Sequence, residues 1–266
     1  MKRTYILILA LSALVAFSAC ERVIDVDLND ADPTLVIEAK VSNRAEPQTV
    51  ILTKTTSYFT PDTPAPVTNA TVTVRDDQGE EHAYTEVTDG VYIANFMGQE
   101  GRTYTLEVIS EGETYSGQSR LRPTVSLDSL TFARSGFSEP NAPPSYLTFT
   151  NFNDPAERGN YYRVREVSED PAADAFIYLL DDISTNGNLI TFPLFGNTYP
   201  VGTDITIELW HIDQSAYNYF TDLSELQNAG SPFSSTPANP DTNLSNGALG
   251  FFVAYSVSTL SGTITE

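Results

Sequence analysis

The residues of this chain that could do chemistry are one cysteine, two histidines and a large number of carboxylates. The cysteine, Cys20, could be a nucleophile or a site of covalent modification, and no second cysteine is present to form a disulfide with it. The histidines, His82 and His211, could act as bases or metal ligands, and paired carboxylates could act as acid and base. The sequence around each residue decides among these chemistries.

The surroundings of Cys20 indicate lipidation. The chain begins Met1-Lys2-Arg3, continues with an apolar run from Tyr5 to Phe17, and reaches Cys20 through Ser18-Ala19. A basic start, about 7–15 apolar residues and small residues before a cleavage site are typical of a secretory signal peptide. With cysteine next, the segment resembles a bacterial lipobox, although Phe17 stands where leucine is usual. The resemblance implies that residues 1–19 are removed and that Cys20 carries a diacylglycerol and an N-terminal acyl chain such as palmitate.

The same segment has two other interpretations. A permanent transmembrane helix needs ~20 apolar residues, and this run is shorter. A plain signal peptide followed by an accidental cysteine is the remaining alternative. Because each buried CH₂ contributes ~0.8 kcal/mol, two or three acyl chains on one residue would hold a folded domain at a membrane essentially permanently.

The composition excludes several classes of partner. Apolar residues make up 41% of the chain, which predicts a folded protein. The formal charge of −21 predicts a surface that repels nucleic acid and anionic lipid. We therefore expect no nucleic-acid partner and no electrostatic docking to the bilayer.

Neither histidine lies in a catalytic motif. His82 follows Glu80-Glu81 and is expected to be an exposed strand residue, and His211 follows Trp210 and is expected to be satisfied within a sheet. The sequence contains no H-E-x-x-H zinc motif, no G-x-S-x-G elbow and no P-loop. A glycosidase-type carboxylate pair stays open, because the sequence does not give the separation of two acids. The prediction is a chain without catalytic residues, metal site or cofactor, and so not an enzyme.

The acidic segment after Cys20 has two interpretations. Asp25-Val26-Asp27-Leu28-Asn29-Asp30 begins like a calcium loop but lacks its glycine, and Val36 stands at the last ligand position, so a strand is favoured. Acids close to a lipid-bearing cysteine also resemble surface-export signals. This favours the cell surface over the periplasmic side of the outer membrane.

The elements that must support any site are mainly β. Short runs rich in Thr, Val, Ile, Tyr and Phe alternate with polar residues and are separated by Gly, Pro, Asn and Asp. Regular spacing with short turns is typical of a sandwich. We predict an N-terminal antiparallel β-sandwich, Ig- or transthyretin-like, over residues 20–124. Its candidate strands are Thr34–Val41, Thr49–Thr56 and a hairpin series from Ala70 to Gln118.

Pro123 and a change of pattern predict a second β-rich domain over residues 125–266. It is expected to contain one short helix at about residues 214–229, capped by Asp213 and ended by Gly230. Residues 256–264 are expected to be an edge strand or the end of the preceding strand. The candidate strands are Leu127–Ala133, Leu147–Phe152, Tyr161–Val167, Leu189–Phe195, Asp204–Ile212 and Gly247–Tyr255.

Several segments together resemble one family, the bacterial outer-membrane lipoproteins of domain-of-unknown-function family 4249. The matching segments are Cys20–Asp27, Leu35–Glu38, Ala70–Val74, Gly90–Tyr92, Gly101–Tyr104, Gly112–Tyr115, Asn153–Pro155, Asn160–Arg163 and Asn243–Phe252. The resemblance implies a β-rich lipoprotein, often encoded beside a TonB-dependent outer-membrane receptor. It implies no known activity and no binding residue beyond Cys20.

The expected function is a lipid-anchored binding or assembly module of the outer membrane, an accessory partner of a TonB-dependent receptor. The alternatives are a surface protein that binds a glycan, peptide or other nutrient, and a hydrolase. An aromatic-lined concave pocket would favour direct ligand binding, whereas a flat surface would favour the receptor partner. The expected contact loops are Tyr58–Pro66, Phe137–Ser145 and Ser231–Asn246, and the expected exposed aromatics are Tyr58, Phe59, Tyr217 and Tyr219.

Overall fold

Strict alternation of buried and exposed side chains organises the chain into strands. In the first strand, Ile37, Ala39 and Val41 face inward, and Glu38 and Lys40 face outward. A computed structural model describes residues 32–56, 63–136, 143–168, 176–227 and 239–266. The helix is α1 (Gln214–Gln227), and the strands are β1 (Leu35–Ser42), β2 (Gln48–Lys54), β3 (Thr71–Asp76), β4 (Glu81–Ala83), β5 (Thr85–Thr88), β6 (Val91–Ala94), β7 (Thr103–Ser110), β8 (Glu113–Arg120), β9 (Leu127–Arg134), β10 (Tyr146–Asn153), β11 (Tyr161–Ser168), β12 (Phe176–Asp181), β13 (Leu189–Tyr199), β14 (Asp204–Ile212) and β15 (Leu249–Thr263).

The described strands form three sheets. The largest has the order β12-β11-β14-β15-β1-β2-β6-β5, and the others have the orders β4-β3-β7-β8 and β13-β10-β9. The long strand β15 joins the two halves of the largest sheet. Its residues from Leu249 to Tyr255 pair with β1, and those from Ser256 to Thr263 pair with β14.

Two hydrophobic cores lie between these sheets. The first joins Ile37 and Leu52 of the large sheet to Val74 and Leu106 of the β4-β3-β7-β8 sheet, and Phe252 of β15 belongs to it. The second joins β11 and β14 to the β13-β10-β9 sheet; its fully buried side chains are Phe152, Tyr162, Val164, Leu194 and Ile207. The prediction of a mainly β chain with a sandwich and one helix is confirmed.

The division into domains at residue 124 stays a prediction. Contacts between Cα atoms group Pro33–Glu266 into one compact unit. Within this unit the first core is built from the N-terminal half of the chain and the second core from the C-terminal half. The exception is the segment that contains Leu244, Phe252 and Ala254, which belongs to the first core. The predicted boundary therefore separates two cores that share a strand.

The structure departs from the sequence predictions at three places. Within the predicted hairpin series the segment His82–Val87 alternates like a single strand, but it crosses from one sheet to the other at Tyr84, which is buried between β4 and β5. The strand β12 was not predicted, because at the sheet edge its side chains are nearly all half-buried and show no alternation. Among the described pairings β1–β15 is parallel, so the first sandwich is not wholly antiparallel. For residues 256–264 the second of the two predictions is confirmed, since Ser256–Thr263 form the end of the strand β15.

The helix α1 begins where it was predicted. The Asp213 Oδ1 atom accepts a hydrogen bond from the backbone N–H of Ala216 at 2.9 Å, which is an N-cap. The helix ends at Gln227, and Gly230 lies outside the described residues. Ala216, Phe220 and Leu223 lie on the sheet-facing side, as their spacing predicts.

Candidate functional site

A cavity lies on the outer face of the large sheet, beneath α1. The floor consists of outward side chains of β14 and β15, of which Trp210, Phe251 and Val253 are buried under the helix. The helix contributes Tyr219, Phe220 and Leu223 to the wall. The cavity has a volume of about 400 Å³, and its charged lining residues are Glu38, Lys40 and Arg163.

Arg163 is the central polar group of this site. Its guanidinium carbon lies 4.3 Å from the centre of the Trp210 ring and 5.2 Å from that of Phe220, so the cation is held between two aromatic side chains. The Nε and Nη1 atoms are buried and make no hydrogen bond to the described residues. Burial lowers the pKa of Arg163 to about 10, and the neighbouring charge of Arg165 acts in the same direction.

The strand register explains why Arg163 reaches the cavity. In β11 the side chains of Tyr162 and Val164 enter the second core, so Arg163 and Arg165 face outward. Arg163 is directly opposite Trp210 in the antiparallel β11–β14 pair. Cross-strand neighbours on one face are close enough to stack.

Glu208, opposite Arg165 in the β11–β14 pair, does not form an ion pair with Arg163. Glu208 is 3.6 Å from Arg165 and 3.1 Å from Arg44, so it forms ion pairs with two other arginines. Arg163 forms no ion pair with a described residue. A cation is thus retained at the cavity wall in a chain of strongly negative charge.

A second cavity of about 630 Å³ lies on the other side of the helix. Arg163, Phe220 and Leu223 line both cavities, and the second is completed mainly by β12 and by Tyr217. The side chains of Phe220 and Leu223 therefore form the partition between the two cavities. The arrangement provides a mostly apolar, aromatic-walled space with a buried arginine, which suits the binding of an organic molecule.

The two histidines stand apart from this site. His82 of β4 stacks on Phe96 with ring centres 3.7 Å apart, and it is half-buried where exposure was predicted. His211 is buried, and its Nδ1 lies 2.7 Å from the Pro123 carbonyl oxygen. Burial lowers the pKa of His211 to about 4, so the ring is neutral at neutral pH. His211 lies within a sheet as predicted, but it is not fully satisfied, because its Nε2 atom is buried without a hydrogen-bond partner among the described residues.

The other predicted site residues have mixed outcomes. Cys20 and the acidic segment after it lie outside the described residues, as do Tyr58 and Phe59. Tyr217 and Tyr219 are half-buried and each lines one of the cavities. Within the described ranges no helix is long and apolar enough to cross a bilayer. The same ranges contain no cluster of three His, Cys, Asp or Glu side chains arranged to hold a metal ion.

The segments Asn153–Pro155 and Asn160–Arg163 form one turn structure next to the site. The Tyr162 hydroxyl donates to Asp154 Oδ1, and Asp182 Oδ2 accepts from the backbone N–H groups of Gly159 and Asn160 at 2.8 and 3.1 Å. These bonds fix the start of β11, and therefore the position of Arg163.

Arg163 and Trp210 were not identified as site residues from the sequence. Two features of the sequence could have indicated them. Trp210 is the single tryptophan and lies in a predicted strand, and Arg163 lies in another predicted strand at a position that alternation places on the outer face. Pairing them requires the β11–β14 register, which the sequence does not supply.

The fold and the cavity define a class of protein: a β-sandwich chain with a helix-covered pocket on the outer face of its largest sheet. The family model described as "Domain of unknown function (DUF4249)" matches residues 21–261, and the chain belongs to this family. No curated protein matches the chain.

The chain is also similar to several solved structures. The two-domain fibronectin type-III segment of chicken tenascin is 14% identical; the alignment covers 88% of this chain and 100% of that one, with a TM-score of 0.26. A cytokine receptor complex is 12% identical, with coverages of 87% and 97% and a TM-score of 0.27. The chicken interferon gamma receptor alpha chain is 10% identical, with coverages of 68% and 90% and a TM-score of 0.22.

Proposed function

We propose that this chain is a lipid-anchored binding module of the cell envelope, and that the cavity beneath α1 holds a small organic ligand. The observation that carries this proposal is the aromatic-walled space of about 400 Å³ with Arg163 at its wall. Ligand sites are mostly apolar concavities of this size with a few polar groups. Sandwich strands supply a rigid floor, and one helix supplies the wall.

The binding proposal is tested by extracting small molecules from the natively purified protein and identifying them by mass spectrometry. Leu223→Trp places a large ring on the partition between the cavities and should deplete the bound molecule. Asn218→Trp makes the same change on an exposed position of α1 and serves as the matched control. Equal recovery from both variants and the parent chain would exclude this cavity as the site.

The proposal of a lipid anchor is based on the lipobox-like segment that ends at Cys20. We propose an outer-membrane lipoprotein, with the cell surface favoured over the periplasmic side by the acids that follow the cysteine. Cys20→Ala should release the chain from the membrane fraction or leave it uncleaved. Unchanged fractionation and unchanged mass in this variant would refute the lipid anchor, and protease treatment of intact cells decides the side.

A second candidate function is an accessory partner of a TonB-dependent outer-membrane receptor. Five of the eight exposed large hydrophobic side chains of the described residues fall between residues 176 and 201: Ile177, Ile183, Leu189, Phe195 and Val201. Clustered exposed apolar side chains are typical of protein contact surfaces. β12 and β13, the edge strands that carry three of them, also have unpaired backbone groups available.

The receptor proposal is tested by crosslinking in cells, followed by identification of the crosslinked protein. Phe195→Ser should reduce recovery of the receptor. Val87→Ser, which removes an exposed apolar side chain from β5, should leave it unchanged. If no receptor is crosslinked, the receptor proposal is wrong and ligand binding in the cavity is the remaining proposed function.

A hydrolase is the least favoured alternative, and no arrangement of the described residues supports it.

A further inference from the structure

We propose, building on the ligand-binding function above, that the cavity beneath α1 selects an organic monoanion: a carboxylate on an apolar, preferably aromatic body, anchored by Arg163. The proposal concerns the ligand class and not only the presence of a site. It follows from the charge balance around Arg163, from the chemistry of the walls and from the geometry of the guanidinium.

The charged lining of the cavity has a net charge of +1. Its members are Arg163, Lys40 and Glu38, two positive and one negative, and Arg163 forms no ion pair with a described residue. Glu208, which lies opposite Arg165 on β14, forms ion pairs with Arg44 and Arg165 instead. On the other side of the helix, Glu225 lines the second cavity without forming an ion pair with Arg163.

A buried cation without an anion is unfavourable, because removing its water is not repaid by a partner. Nε and Nη1 of Arg163 are buried and make no hydrogen bond, so Nη2 is the nitrogen that a ligand in the cavity can reach. An incoming carboxylate would supply both the opposite charge and an acceptor. The Nη2 atom carries two N–H groups, so this one nitrogen can donate charge-assisted hydrogen bonds to the carboxylate oxygens.

The walls select the rest of the ligand. Trp210 and Phe220 hold the guanidinium on its faces, and Tyr219 and Phe251 extend the aromatic surface, their rings stacked with centres 4.6 Å apart. Because most of the lining is apolar, it favours an apolar or aromatic body over a sugar, whose many hydroxyl groups would each need a hydrogen-bond partner. A lining of net charge +1 suits a monoanion, because further negative charge would meet a protein of net charge −21.

The chain contains its own reporter for this test. Trp210 is the single tryptophan and it lines the cavity, so intrinsic tryptophan fluorescence reports occupation of this site. The probes are matched pairs of an acid and its neutral amide: phenylacetate with phenylacetamide, and 3-phenylpropionate with 3-phenylpropionamide. The negative surface of the protein disfavours the acids everywhere else, so a preference for them requires a local cation.

We expect the purified full chain to bind each acid about tenfold or more tightly than its amide, as a charge-assisted hydrogen bond provides. Arg163→Gln should abolish this preference. Arg165→Gln removes the same charge two residues along the same strand and should retain the preference. Arg163→Met, which places an apolar side chain between the two aromatic rings, is the second variant if the glutamine variant does not fold.

The outcomes separate the two proposals. Equal affinity for acid and amide, or a preference that survives both Arg163 variants, overturns the anion inference and leaves the ligand-binding function standing. If neither acids nor amides change Trp210 fluorescence, or if Leu223→Trp leaves their binding intact, the cavity is not the site and both proposals are wrong.

Discussion

Glu166 is a carboxylate enclosed in the second core. It is fully buried on β11, and Thr148 and Thr150 of the facing sheet are fully buried too. Neither of its carboxylate oxygens has a hydrogen-bond partner among the described residues. Burial raises the pKa of Glu166 to about 7, and the Thr148 hydroxyl acts in the opposite direction. The protonated form is therefore favoured in the folded state.

The raised pKa of Glu166 predicts the direction in which the free energy of unfolding changes with pH. Because the folded state holds the Glu166 proton more tightly than the unfolded state, stability should fall as pH rises from about 4.5 to about 7. Glu166→Gln removes the titration, so its stability relative to the parent should grow by about 2–3 kcal/mol between pH 5 and pH 8. Urea unfolding at several pH values measures this difference, and a flat difference curve contradicts it.

His211 acts in the opposite direction, so the parent curve alone is not informative. The pKa of His211 is lowered by burial to about 4, so protonation of the unfolded chain lowers stability as pH falls from about 6.5 towards 4. Between pH 4.5 and 6.5 the two slopes oppose each other. The Glu166→Gln variant should therefore show a steeper gain of stability with rising pH in this range than the parent chain.

At the scale of elements, α1 depends on one side chain at its start. Asp213 caps Ala216 through Oδ1, and its Oδ2 accepts hydrogen bonds from Ser119 Oγ at 2.7 Å and from the Arg120 N–H at 3.0 Å. It thus fixes the helix to β8. Asp213→Ala should cost about 2 kcal/mol of unfolding free energy and weaken probe binding, because α1 is a wall of the cavity.

The matched control for the cap is Glu225→Ala, which removes an exposed carboxylate from the same helix. Urea unfolding should show a change within about 0.5 kcal/mol for this variant. Equal losses for the two variants would show that the cap is not what holds the helix.

The parallel pairing of β1 with β15 depends on a glycine. Gly250 has a φ of +90°, and a Cβ at this position would lie 2.2 Å from the Ile37 carbonyl oxygen. Gly250→Ala should therefore cost more than about 3 kcal/mol, because rigid backbone would have to move. Gly247 has a φ of +72° with no atom within 4 Å of its Cβ position, so Gly247→Ala should cost only about 1–2 kcal/mol. Similar unfolding midpoints for both variants would contradict this account.

The elements were more predictable than the site. Alternation and turn residues predicted β1, β2, the hairpins from β3 to β8 and the helix, because these depend on neighbours in sequence. The pairing of β1 with β15 and of Arg163 with Trp210 depends on strands far apart in sequence. No local pattern encodes that register, so the cavity was not predicted.

At the scale of the whole molecule, β15 makes the two cores interdependent. Residues 33–124 alone lack Leu244, Phe252 and Ala254, which complete the first core. We expect this fragment not to unfold cooperatively in urea, and addition of a synthetic peptide of residues 239–257 to restore a cooperative transition. The same peptide with Gly250→Ala should be less effective. A fragment that unfolds cooperatively without peptide would establish the domain predicted for residues 20–124 as independent.

The parallel pairing of Val36 with Leu249 has a consequence for biogenesis, because a ribosome makes every other described strand before β15, the partner of β1. A nascent chain that emerges vectorially must keep this edge of β1 unpaired until β15 appears, and such non-local pairing is slow. A partly folded chain in which this edge of β1 is still unpaired is prone to aggregation, and we expect chaperones to bind it. Ribosomes that stop early would release chains with this edge permanently open, which marks them for proteolysis.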